Sequence, residues 1–311
     1  MRFTCYVVFV AAALAQVPLS EIKHAPGGFV TVNNAKMWYE SEGKGEPLVL
    51  ISGGPGSSHN YFHPYFSELA GVANVVYFDA FGRGKSARSA KNSEYTFARD
   101  VSDLEEFRKA RGYASINLLG HSYGGMVAEA YAIQYPRRVK RLILADTFYS
   151  GEMWQANNDS CNRELRNNYP ELWAKVMAVR RQGLHSSAKA HQDAYQIPVG
   201  LLYFYDASKA KLLWDDLANN DVYYTIAGDD ADFLIGGDIA ALDFRVELQK
   251  LKMPVLVMAG RYDRVSIPRW ALEFKRYLPH AEFKIFEESG HNPFVEEPGL
   301  FIDVLRDFLK K

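Results

Sequence analysis

The stretch that decides the fold is Ile116-Asn117-Leu118-Leu119-Gly120-His121-Ser122-Tyr123-Gly124, which continues through residues 125–132. Its first four residues are mostly apolar, and a short apolar run of this kind predicts a buried strand. Residues 125–132 carry small and apolar side chains at helical spacing, which predicts a helix. The Gly-x-Ser-x-Gly sequence therefore falls on a sharp turn between a strand and a helix, with Ser122 at its tip.

A turn of this kind is suited to present a nucleophile. Glycine at positions 120 and 124 avoids clashes between Cβ atoms and the neighbouring strand and helix. The first backbone amides of the following helix point at any oxyanion that forms beside Ser122. Because five residues of this composition also occur by chance at ordinary turns, the prediction depends on finding a base and an acid elsewhere in the chain.

A candidate acid and a candidate base follow near the carboxyl end of the chain. The apolar run at residues 254–260 predicts a fully buried parallel strand, and Asp263 comes shortly after it. Residues 283–286 predict the next strand, and His291 follows in a loop. The sequence thus places one acid and one histidine after consecutive strands.

These positions predict a catalytic triad in the chain order Ser122, Asp263, His291. In that arrangement His291 takes the proton from Ser122, and Asp263 fixes the imidazole tautomer and stabilises the imidazolium. Asp146, which follows a predicted strand at residues 141–145, is the alternative acid.

An oxyanion site is predicted in the loop after the strand at residues 48–51. This loop reads Ser52-Gly53-Gly54-Pro55-Gly56. Acyl transfer needs two backbone N–H donors that converge about 3 Å from the developing charge. Because proline has no N–H, the predicted donors are the amides of Gly54 and of Tyr123, the residue after the nucleophile. The alternative is an ordinary Gly/Pro turn.

Strands and helices alternate along most of the chain, which predicts an α/β fold with a mostly parallel central sheet and helices on both faces. Residues 29–40 predict a hairpin. A helix is predicted from an N-cap at Thr96 to about Arg111. Further strands are predicted at residues 48–52, 74–79, 116–120, 141–146, 254–260 and 283–288.

The alternation stops for about a hundred residues after position 146, which is too long for a single loop. We interpret residues 149–243 as a helical cap over the site. The core domain then consists of residues 16–148 and 244–311, a size that allows a substantial core.

Residues 1–15 predict a signal peptide. Arg2 precedes an uncharged stretch rich in Val, Phe and Ala, and Ala13-Leu14-Ala15 fits the small-x-small rule for cleavage. Cleavage after Ala15 predicts an exported protein, periplasmic or secreted, without a stable membrane span. A retained signal anchor is the alternative, although the apolar stretch is short for a span of about 20 residues.

The composition excludes several classes of function. The formal net charge is −1 and there is no basic run, so no nucleic-acid partner is expected. The eight histidines lack ligand spacing with cysteine or paired carboxylates, so no metal and no cofactor is expected. Cleavage of the signal peptide would remove Cys5 and leave Cys161 without a partner for a disulfide.

Taken together, the motifs resemble the α/β-hydrolase superfamily and, within it, the prolyl aminopeptidases, also called proline iminopeptidases. The resemblance runs from about residue 28 to the end, apart from the cap. That group's loop usually reads His-Gly-Gly-Pro-Gly, whereas this chain has Ser52 at the first position. The superfamily's Asp-x-x-Gly-x-Gly-x-Ser turn is present at residues 79–86, without the Gln-Arg pair that prolyl aminopeptidases favour after the aspartate.

The resemblance implies a triad of Ser122, Asp263 and His291, because this chain order is that of α/β-hydrolases. Relatives that open epoxides or displace halide carry a carboxylate at the turn. A serine there implies an acyl-enzyme instead, and hence ester, thioester or amide substrates.

The predicted cap carries most of the information about the substrate. It contains fourteen acidic and eight basic residues, a net charge of −6, against +5 for the rest of the chain. Such a lid favours cationic ligands, although charged helices also simply face water. Prolyl aminopeptidases use cap carboxylates to bind the free α-amino group, which makes Glu152, Glu164 and Glu171 the candidates. Seven aromatic residues of the cap are candidates for the wall of a pocket: Trp154, Tyr169, Trp173, Tyr203, Phe204, Tyr205 and Trp214. Some of them would instead pack the cap onto the core.

Three functions therefore follow from the sequence. The first is an exported aminopeptidase that releases N-terminal proline or similar residues from peptides. The second is a carboxylesterase or small-amide hydrolase with the same triad. The third is a ligand-binding receptor that retains the fold, against which the complete triad and oxyanion loop argue. The sequence leaves the oligomeric state open.

Overall fold

The centre of the molecule is one eight-stranded sheet. The computed structural model describes residues 23–213, 215 and 217–311. Its strands are β1 (Gly27–Val32), β2 (Ala35–Glu42), β3 (Pro47–Ile51), β4 (Asn74–Phe78), β5 (Ile116–His121), β6 (Val139–Ala145), β7 (Val255–Gly260) and β8 (Glu282–Phe286). Their order across the sheet is β1-β2-β4-β3-β5-β6-β7-β8. Strand β2 is antiparallel to both neighbours, and all pairs from β4 to β8 are parallel.

Ten α-helices accompany these strands in the described part of the chain. They are α1 (Phe97–Ala110), α2 (Tyr123–Gln134), α3 (Gly151–Asn168), α4 (Pro170–Arg180), α5 (Lys189–Gly200), α6 (Asn220–Ala227), α7 (Arg245–Leu248), α8 (Pro268–Tyr277), α9 (Pro293–Glu296) and α10 (Pro298–Lys310). A short 3-10 helix spans His59–Phe62. The alternation confirms the α/β fold that the sequence predicts.

The central strands are apolar because both faces of the sheet are covered. All six residues of β5 and of β7 are buried. One face packs on a cluster that includes Leu104, Met126 and Phe274 of α1, α2 and α8. The opposite face packs on a second cluster that includes Phe301 and Leu305 of α10. Burial on two sides explains the nearly continuous apolar runs of the sequence.

Local sequence signals account for two element boundaries. The hairpin between β1 and β2 turns at Asn33 and Asn34, whose φ angles are 44° and 64°. Asparagine tolerates this left-handed region, which two-residue hairpin turns require. Helix α1 begins where Thr96 Oγ1 accepts a hydrogen bond from the Arg99 amide, as its predicted N-cap should.

The chain between β6 and β7 contains helices α3 to α7. Some of them share an apolar cluster separate from the sheet, formed by Cys161, Leu165, Val176, Tyr195 and Leu202. We refer to residues 149–243 as the cap; its boundaries as a domain stay a prediction. The predicted signal peptide, its cleavage after Ala15 and Cys5 lie outside the described residues. Within the described ranges, we find no helix with the length and hydropathy of a membrane span.

Candidate active site

Ser122 occupies the tight turn between β5 and α2. Its backbone has φ 54° and ψ −126°, a strained conformation for a residue with a side chain. A Cβ at Gly120 would lie 2.2 Å from the carbonyl oxygen of Gly124. A Cβ at Gly124 would lie 2.2 Å from the carbonyl oxygen of Ile51. Only glycine therefore fits at both positions. Because these glycines lack a Cβ, the strand and the helix can approach closely, and Ser122 lies at the tip of the turn between them.

Asp263 and His291 come together beside this turn. The Nδ1 atom of His291 lies 2.8 Å from Asp263 Oδ2. Asp263 Oδ1 accepts hydrogen bonds from the amides of Val265 and Ser266, both at 2.7 Å. With Nδ1 bound to the carboxylate, Nε2 is the ring atom left for Ser122. Among the described residues, Ser122 Oγ and His291 form no hydrogen bond. In enzymes without substrate such catalytic contacts are often long, and they shorten when substrate binds.

Asp146, the alternative acid, lies next to the pair. One carboxylate oxygen each of Asp146 and Asp263 and a ring nitrogen of His291 all lie within 4.8 Å of one another. Asp146 Oδ1 accepts a hydrogen bond from the Gly260 amide at 2.8 Å. Burial, and then the charge of Asp263, raise the pKa of Asp146 well above its ordinary value. Ionisation of Asp146 is therefore disfavoured, and the carboxyl group that contacts the His291 ring directly is that of Asp263.

The glycine loop after β3 lies against Ser122. A Cβ at Gly53 would lie 2.8 Å from the Ser122 Cβ. The Gly53 amide is already used, since it donates to the Tyr61 hydroxyl at 2.6 Å. The amide of Gly54 has no hydrogen-bond partner among the described residues, and that of Tyr123 starts helix α2. The amides of Gly54 and Tyr123 are therefore unpaired within the described residues, and their catalytic role stays a prediction.

A buried hydrogen-bond chain joins this loop to the histidine. The Tyr61 hydroxyl lies 3.0 Å from His121 Nδ1, and His121 Nε2 lies 2.8 Å from the carbonyl oxygen of His291. Burial lowers the pKa of His121 to about 3, so its ring is neutral. His121 Nε2–H then donates to the carbonyl oxygen of His291, and His121 Nδ1 accepts from the Tyr61 hydroxyl. The same hydroxyl accepts from the Gly53 amide. We did not predict Tyr61 and His121 from the sequence, because only the fold brings them together.

A buried arginine holds the other side of the glycine loop. Arg83 pairs with Asp100 through two hydrogen bonds of 2.6 and 2.7 Å. Its Nε donates to the carbonyl oxygen of Pro55 at 2.6 Å. The Tyr123 hydroxyl donates to the same Asp100 at 2.5 Å. One ion pair therefore fixes both the loop and the residue after the nucleophile.

The cap is bonded to the glycine loop. The amide of Asn219 donates to the carbonyl oxygen of Gly56 at 2.8 Å, and its side chain donates to Gly82 at 2.8 Å. Asp215 accepts from the Ser58 amide at 2.8 Å and from its hydroxyl at 2.6 Å. A Cβ at Gly56 would lie 2.2 Å from the Asn219 carbonyl oxygen. This end of the cap is thus in backbone contact with the loop.

A second set of bonds joins the cap to the histidine loop. The amide of His291 donates to the Tyr203 carbonyl at 2.8 Å. Glu296 Oε1 accepts from the amides of Tyr205 and Asp206, and its Oε2 accepts from the Gly290 amide. The position of the base is therefore set by the cap as well as by β8.

Ser122 and His291 open into a cavity of about 320 Å³ between the core and the cap. This volume is at the low end of the roughly 300–1,000 Å³ usual for small-molecule sites. Aromatic side chains form much of its wall, namely Tyr61, Phe148, Trp154, Tyr195, Tyr203, Tyr223 and Tyr224. No lysine or arginine lines it among residues 23–213, 215 and 217–311.

Two acidic side chains line the same cavity. Asp232 lies near the Tyr224 and Tyr223 hydroxyls, at 3.3 and 3.5 Å. Burial raises the pKa of Asp232 to about 6. Burial also raises the pKa of Asp215 to about 6, although its hydrogen bonds from Ser58 oppose the shift. Both carboxylates are largely ionised at pH 7 in a cavity that no lysine or arginine of the described residues lines, so a cation is the ligand they favour.

The three glutamates predicted to bind an amino group do not line the cavity, which corrects that prediction. Glu152 is exposed and pairs with Arg245, at 3.0 Å. Glu164 pairs with Arg264 at 3.3 Å, and Glu171 is exposed at the start of α4. The acidic side chains that line the cavity are instead Asp215 and Asp232. Sequence counting included both aspartates but gave no means of telling them from the other acids of the cap.

The aromatic candidates separate into different environments. Trp154 and Tyr203 line the cavity, and Trp154 stacks on Phe148 at 4.9 Å between ring centroids. Tyr169, Trp173 and Phe204 contribute to the apolar clusters, and Tyr205 is largely exposed. Trp214 lies outside the described residues.

Comparison with known proteins places this geometry in a family. Residues 46–298 match the family described as alpha/beta hydrolase fold. The chain is 31% identical to the proline iminopeptidase of Clostridium botulinum, covering 91% of this chain and 98% of the relative. It is 30% identical to the proline iminopeptidase of Clostridioides difficile, over 91% and 97%. The structure of the Mycobacterium smegmatis proline iminopeptidase shares the fold, with a TM-score of 0.74 at 21% identity over 92% and 98%. The chain therefore belongs to the α/β-hydrolase family, in which it is a serine hydrolase that resembles the proline iminopeptidases.

Proposed function

We propose that this protein is an exported prolyl aminopeptidase, which releases an N-terminal proline or a similar residue through an acyl-enzyme on Ser122. The homologous proline iminopeptidases support aminopeptidase activity in general. The observation that carries the finer proposal is the composition of the cavity. It combines the Ser122 and His291 pair with two carboxylates and, in the described chain, no lysine or arginine.

The first half of the reaction forms the acyl-enzyme. Ser122 Oγ attacks the carbonyl carbon of the substrate's first residue while its proton moves to His291 Nε2. The resulting oxyanion takes hydrogen bonds from the amides of Gly54 and Tyr123. When the tetrahedral intermediate collapses, the C–N bond breaks and His291 gives the proton to the departing amine. Asp263 stabilises the imidazolium between these two transfers.

The second half hydrolyses the acyl-enzyme. Water loses a proton to His291 Nε2 as its oxygen attacks the ester carbon of acylated Ser122. The same two amides hold the second oxyanion. Collapse returns the proton to Ser122 Oγ and releases the amino acid. No group outside the protein and water is needed to balance either step.

Recognition of the amino terminus falls to Asp232 and Asp215. A substrate ammonium group that enters the cavity loses its hydration, which costs free energy. A hydrogen bond to an ionised carboxylate offsets that cost. The contacts of the Asp232 carboxylate with Tyr223, Tyr224 and His191 are long, at 3.5, 3.3 and 3.6 Å, so these three side chains hold it only weakly. Both oxygens of Asp215 are already held by Ser58. We therefore assign the direct contact with the substrate's ammonium group to Asp232. Asp215 contributes through the electrostatic field of its charge.

A panel of three substrates tests this proposal. Proline 4-nitroanilide, its N-acetyl form and a simple aryl ester are compared at pH 7.5 by kcat/KM. The free amide should be preferred to the blocked amide. Asp232→Asn should lower kcat/KM for the free amide by about tenfold or more and leave the aryl ester nearly unchanged. Equal hydrolysis of free and blocked amide contradicts the aminopeptidase proposal and favours the carboxylesterase or small-amide hydrolase.

Two controls accompany the panel. Asp221→Asn removes a negative charge from the same region of the cap, but Asp221 is exposed and does not line the cavity. It should leave all three substrates unaffected. Ser122→Ala should lower kcat by roughly 10⁴-fold or more and abolish labelling by an organophosphonate. Labelling that persists in this variant contradicts the assignment of Ser122.

A further inference from the structure

A cluster of three histidines around one buried glutamate lies apart from the cavity. Glu40 is in β2, His59 begins the 3-10 helix after the glycine loop, His63 follows that helix, and His24 precedes β1. Glu40, His59 and His63 are buried, while His24 has a partly exposed side chain at the rim. The catalytic steps above use none of these residues.

The donor atoms of the cluster converge. Glu40 Oε2 lies 3.1 Å from His24 Nδ1 and 3.1 Å from His63 Nε2. Glu40 Oε1 lies 2.9 Å from His59 Nε2. One ligand atom from each of the four residues lies within 4.8 Å of every other. In a tetrahedral site with bonds of 2.0–2.2 Å, neighbouring ligand atoms are separated by about 3.3 Å, so small side-chain shifts suffice.

The surroundings of His59 match those of a metal ligand. Its second ring nitrogen, Nδ1, lies 2.9 Å from both carboxylate oxygens of Asp79. Metal-bound histidines usually give their other ring N–H to a carboxylate, which fixes the tautomer and the ring orientation. Trp38 Nε1 donates to Glu40 Oε1 at 3.2 Å, which orients that carboxylate in the same way. The ring of His63 is held by stacking on Tyr77 at 4.1 Å.

We infer that His24, Glu40, His59 and His63 form a binding site for a divalent transition metal, most suitably Zn²⁺. Three imidazoles and one carboxylate are a donor set that zinc accepts and that calcium and magnesium do not favour. Four protein ligands describe a closed, structural site. Such a site would join the segment before β1 to β2 and to the helix that follows the glycine loop.

The competing arrangement is a purely ionic cluster. Burial would lower the pKa of His59, but its hydrogen bonds to Asp79 and Glu40 outweigh burial and raise that pKa to about 9. A proton on His59 then takes the place of the metal, and Lys85, at 3.4 Å from Glu40, adds a second positive charge. Metal measurements distinguish the two arrangements directly.

The experiment uses the chain without a polyhistidine tag. After dialysis against a chelator, the protein is titrated with Zn²⁺ in competition with a chromophoric chelator, and separately with Co²⁺. We expect one equivalent of Zn²⁺ per chain, a rise in Tm, and the visible spectrum of tetrahedral Co²⁺. Substoichiometric zinc together with an octahedral Co²⁺ spectrum overturns the inference in favour of the ionic cluster.

Variants locate the metal. Glu40→Gln and His63→Gln should weaken Zn²⁺ binding by more than about tenfold. His185→Gln is the matched control, because His185 is an exposed histidine paired with Asp229 in the cap. If the buried variants do not fold, as judged by circular dichroism, the partly exposed ligand is tested through His24→Gln. Binding that is equal in His24→Gln and His185→Gln overturns the assignment.

Discussion

Asp146 shows how one buried carboxyl group can be tuned by a neighbour of the same charge. Its pKa is raised by burial and then by Asp263, whereas Asp263 accepts two amide hydrogen bonds and contacts His291. Two carboxylates this close do not both ionise readily. Burial and the neighbouring carboxylate therefore disfavour ionisation of Asp146, while Asp263 contacts the imidazole.

The raised pKa of Asp146 predicts an effect of pH on stability. An acid whose pKa is raised in the folded state binds more protons when folded, so its contribution to stability falls as pH rises above the unfolded pKa of about 3.9. Asp146→Asn supplies a neutral group of the same shape. We expect the variant to be more stable than the parent at pH 7, with the difference vanishing near pH 4, in urea unfolding followed by fluorescence.

An exposed acid serves as the control for this variant. Asp221→Asn should show no such pH-dependent difference, since the Asp221 side chain stays in contact with water in the folded state. A loss of stability for Asp146→Asn at pH 7 would mean that Asp146 is ionised and is held by its surroundings as a charge.

The cavity carboxylates predict a pH dependence of specificity. Because the pKa values of Asp232 and Asp215 are raised to about 6, both lose their charge as pH falls below that value. The ratio of kcat/KM for proline 4-nitroanilide to that for an aryl ester should therefore fall below pH 6. The ratio cancels the titration of the shared base, and it should also fall above about pH 8, where the substrate amine deprotonates.

The aspartate variant separates this effect from others. In Asp232→Asn the decline of the ratio below pH 6 should be markedly reduced, with only the supporting field of Asp215 still titrating. An unchanged acid limb in this variant would show that another group controls recognition of the amine.

Among the elements, the glycine loop depends on the buried chain from Gly53 through Tyr61 and His121 to His291. Tyr61→Phe removes the hydroxyl that accepts from Gly53 and donates to His121. Each buried group left without a partner costs about 1–3 kcal/mol. Since the Gly53 amide and His121 Nδ1 both lose their partner, we expect a loss of stability of about 2–6 kcal/mol. The decrease of kcat should be larger than any change of KM, because the loop that carries the Gly54 amide loses its anchor.

Tyr113→Phe provides the control for this variant. Among the described residues, the Tyr113 hydroxyl takes part in a single weak contact, at 3.5 Å from the side chain of Asn74. Its removal should change neither kcat nor the unfolding midpoint appreciably. A kcat for Tyr61→Phe equal to that of the parent would contradict a positioning role for the chain.

The elements that the sequence predicted best are those with strong local signals. Strand β7, predicted at residues 254–260, spans Val255–Gly260, and the helix predicted from Thr96 begins at Phe97. The apolar run of β7 and the N-cap of α1 each consist of residues that are neighbours in the sequence. Tyr61, His121 and Asp232 have no such signal, because their roles arise from burial and from partners far along the chain. The triad residues were predicted from the order of the motifs along the chain. The prediction that cap glutamates line the cavity was wrong, because charge alone does not reveal which side chains face inward.

At the scale of the whole molecule, the first prediction concerns export. The pattern of residues 1–15 predicts that the chain is cleaved after Ala15, so the mature protein should start at Gln16. Expression from the full sequence, followed by intact-mass measurement and N-terminal sequencing of the exported fraction, tests this. A chain that keeps Met1 and stays in the membrane fraction would instead support the retained anchor.

The histidine cluster is also a property of the whole molecule. We expected no metal site because the histidines lack ligand spacing along the sequence. The fold brings together a segment before β1, strand β2 and the 3-10 helix, so that the four residues of the cluster come from positions 24 to 63 of the chain. Cleavage after Ala15 would retain His24, so the proposed site is compatible with export.

The bonds from Asn219 and Asp215 to the glycine loop have a consequence for protein engineering. Substrate range in a family of this kind is an attractive target for exchange of caps between relatives. Here the graft could not stop at residues 149–243, since Gly56 has no room for a side chain against Asn219 and Ser58 is matched to Asp215. Residues 52–58 would have to be transferred together with the cap, so the glycine loop and the cap would form one unit for exchange between relatives.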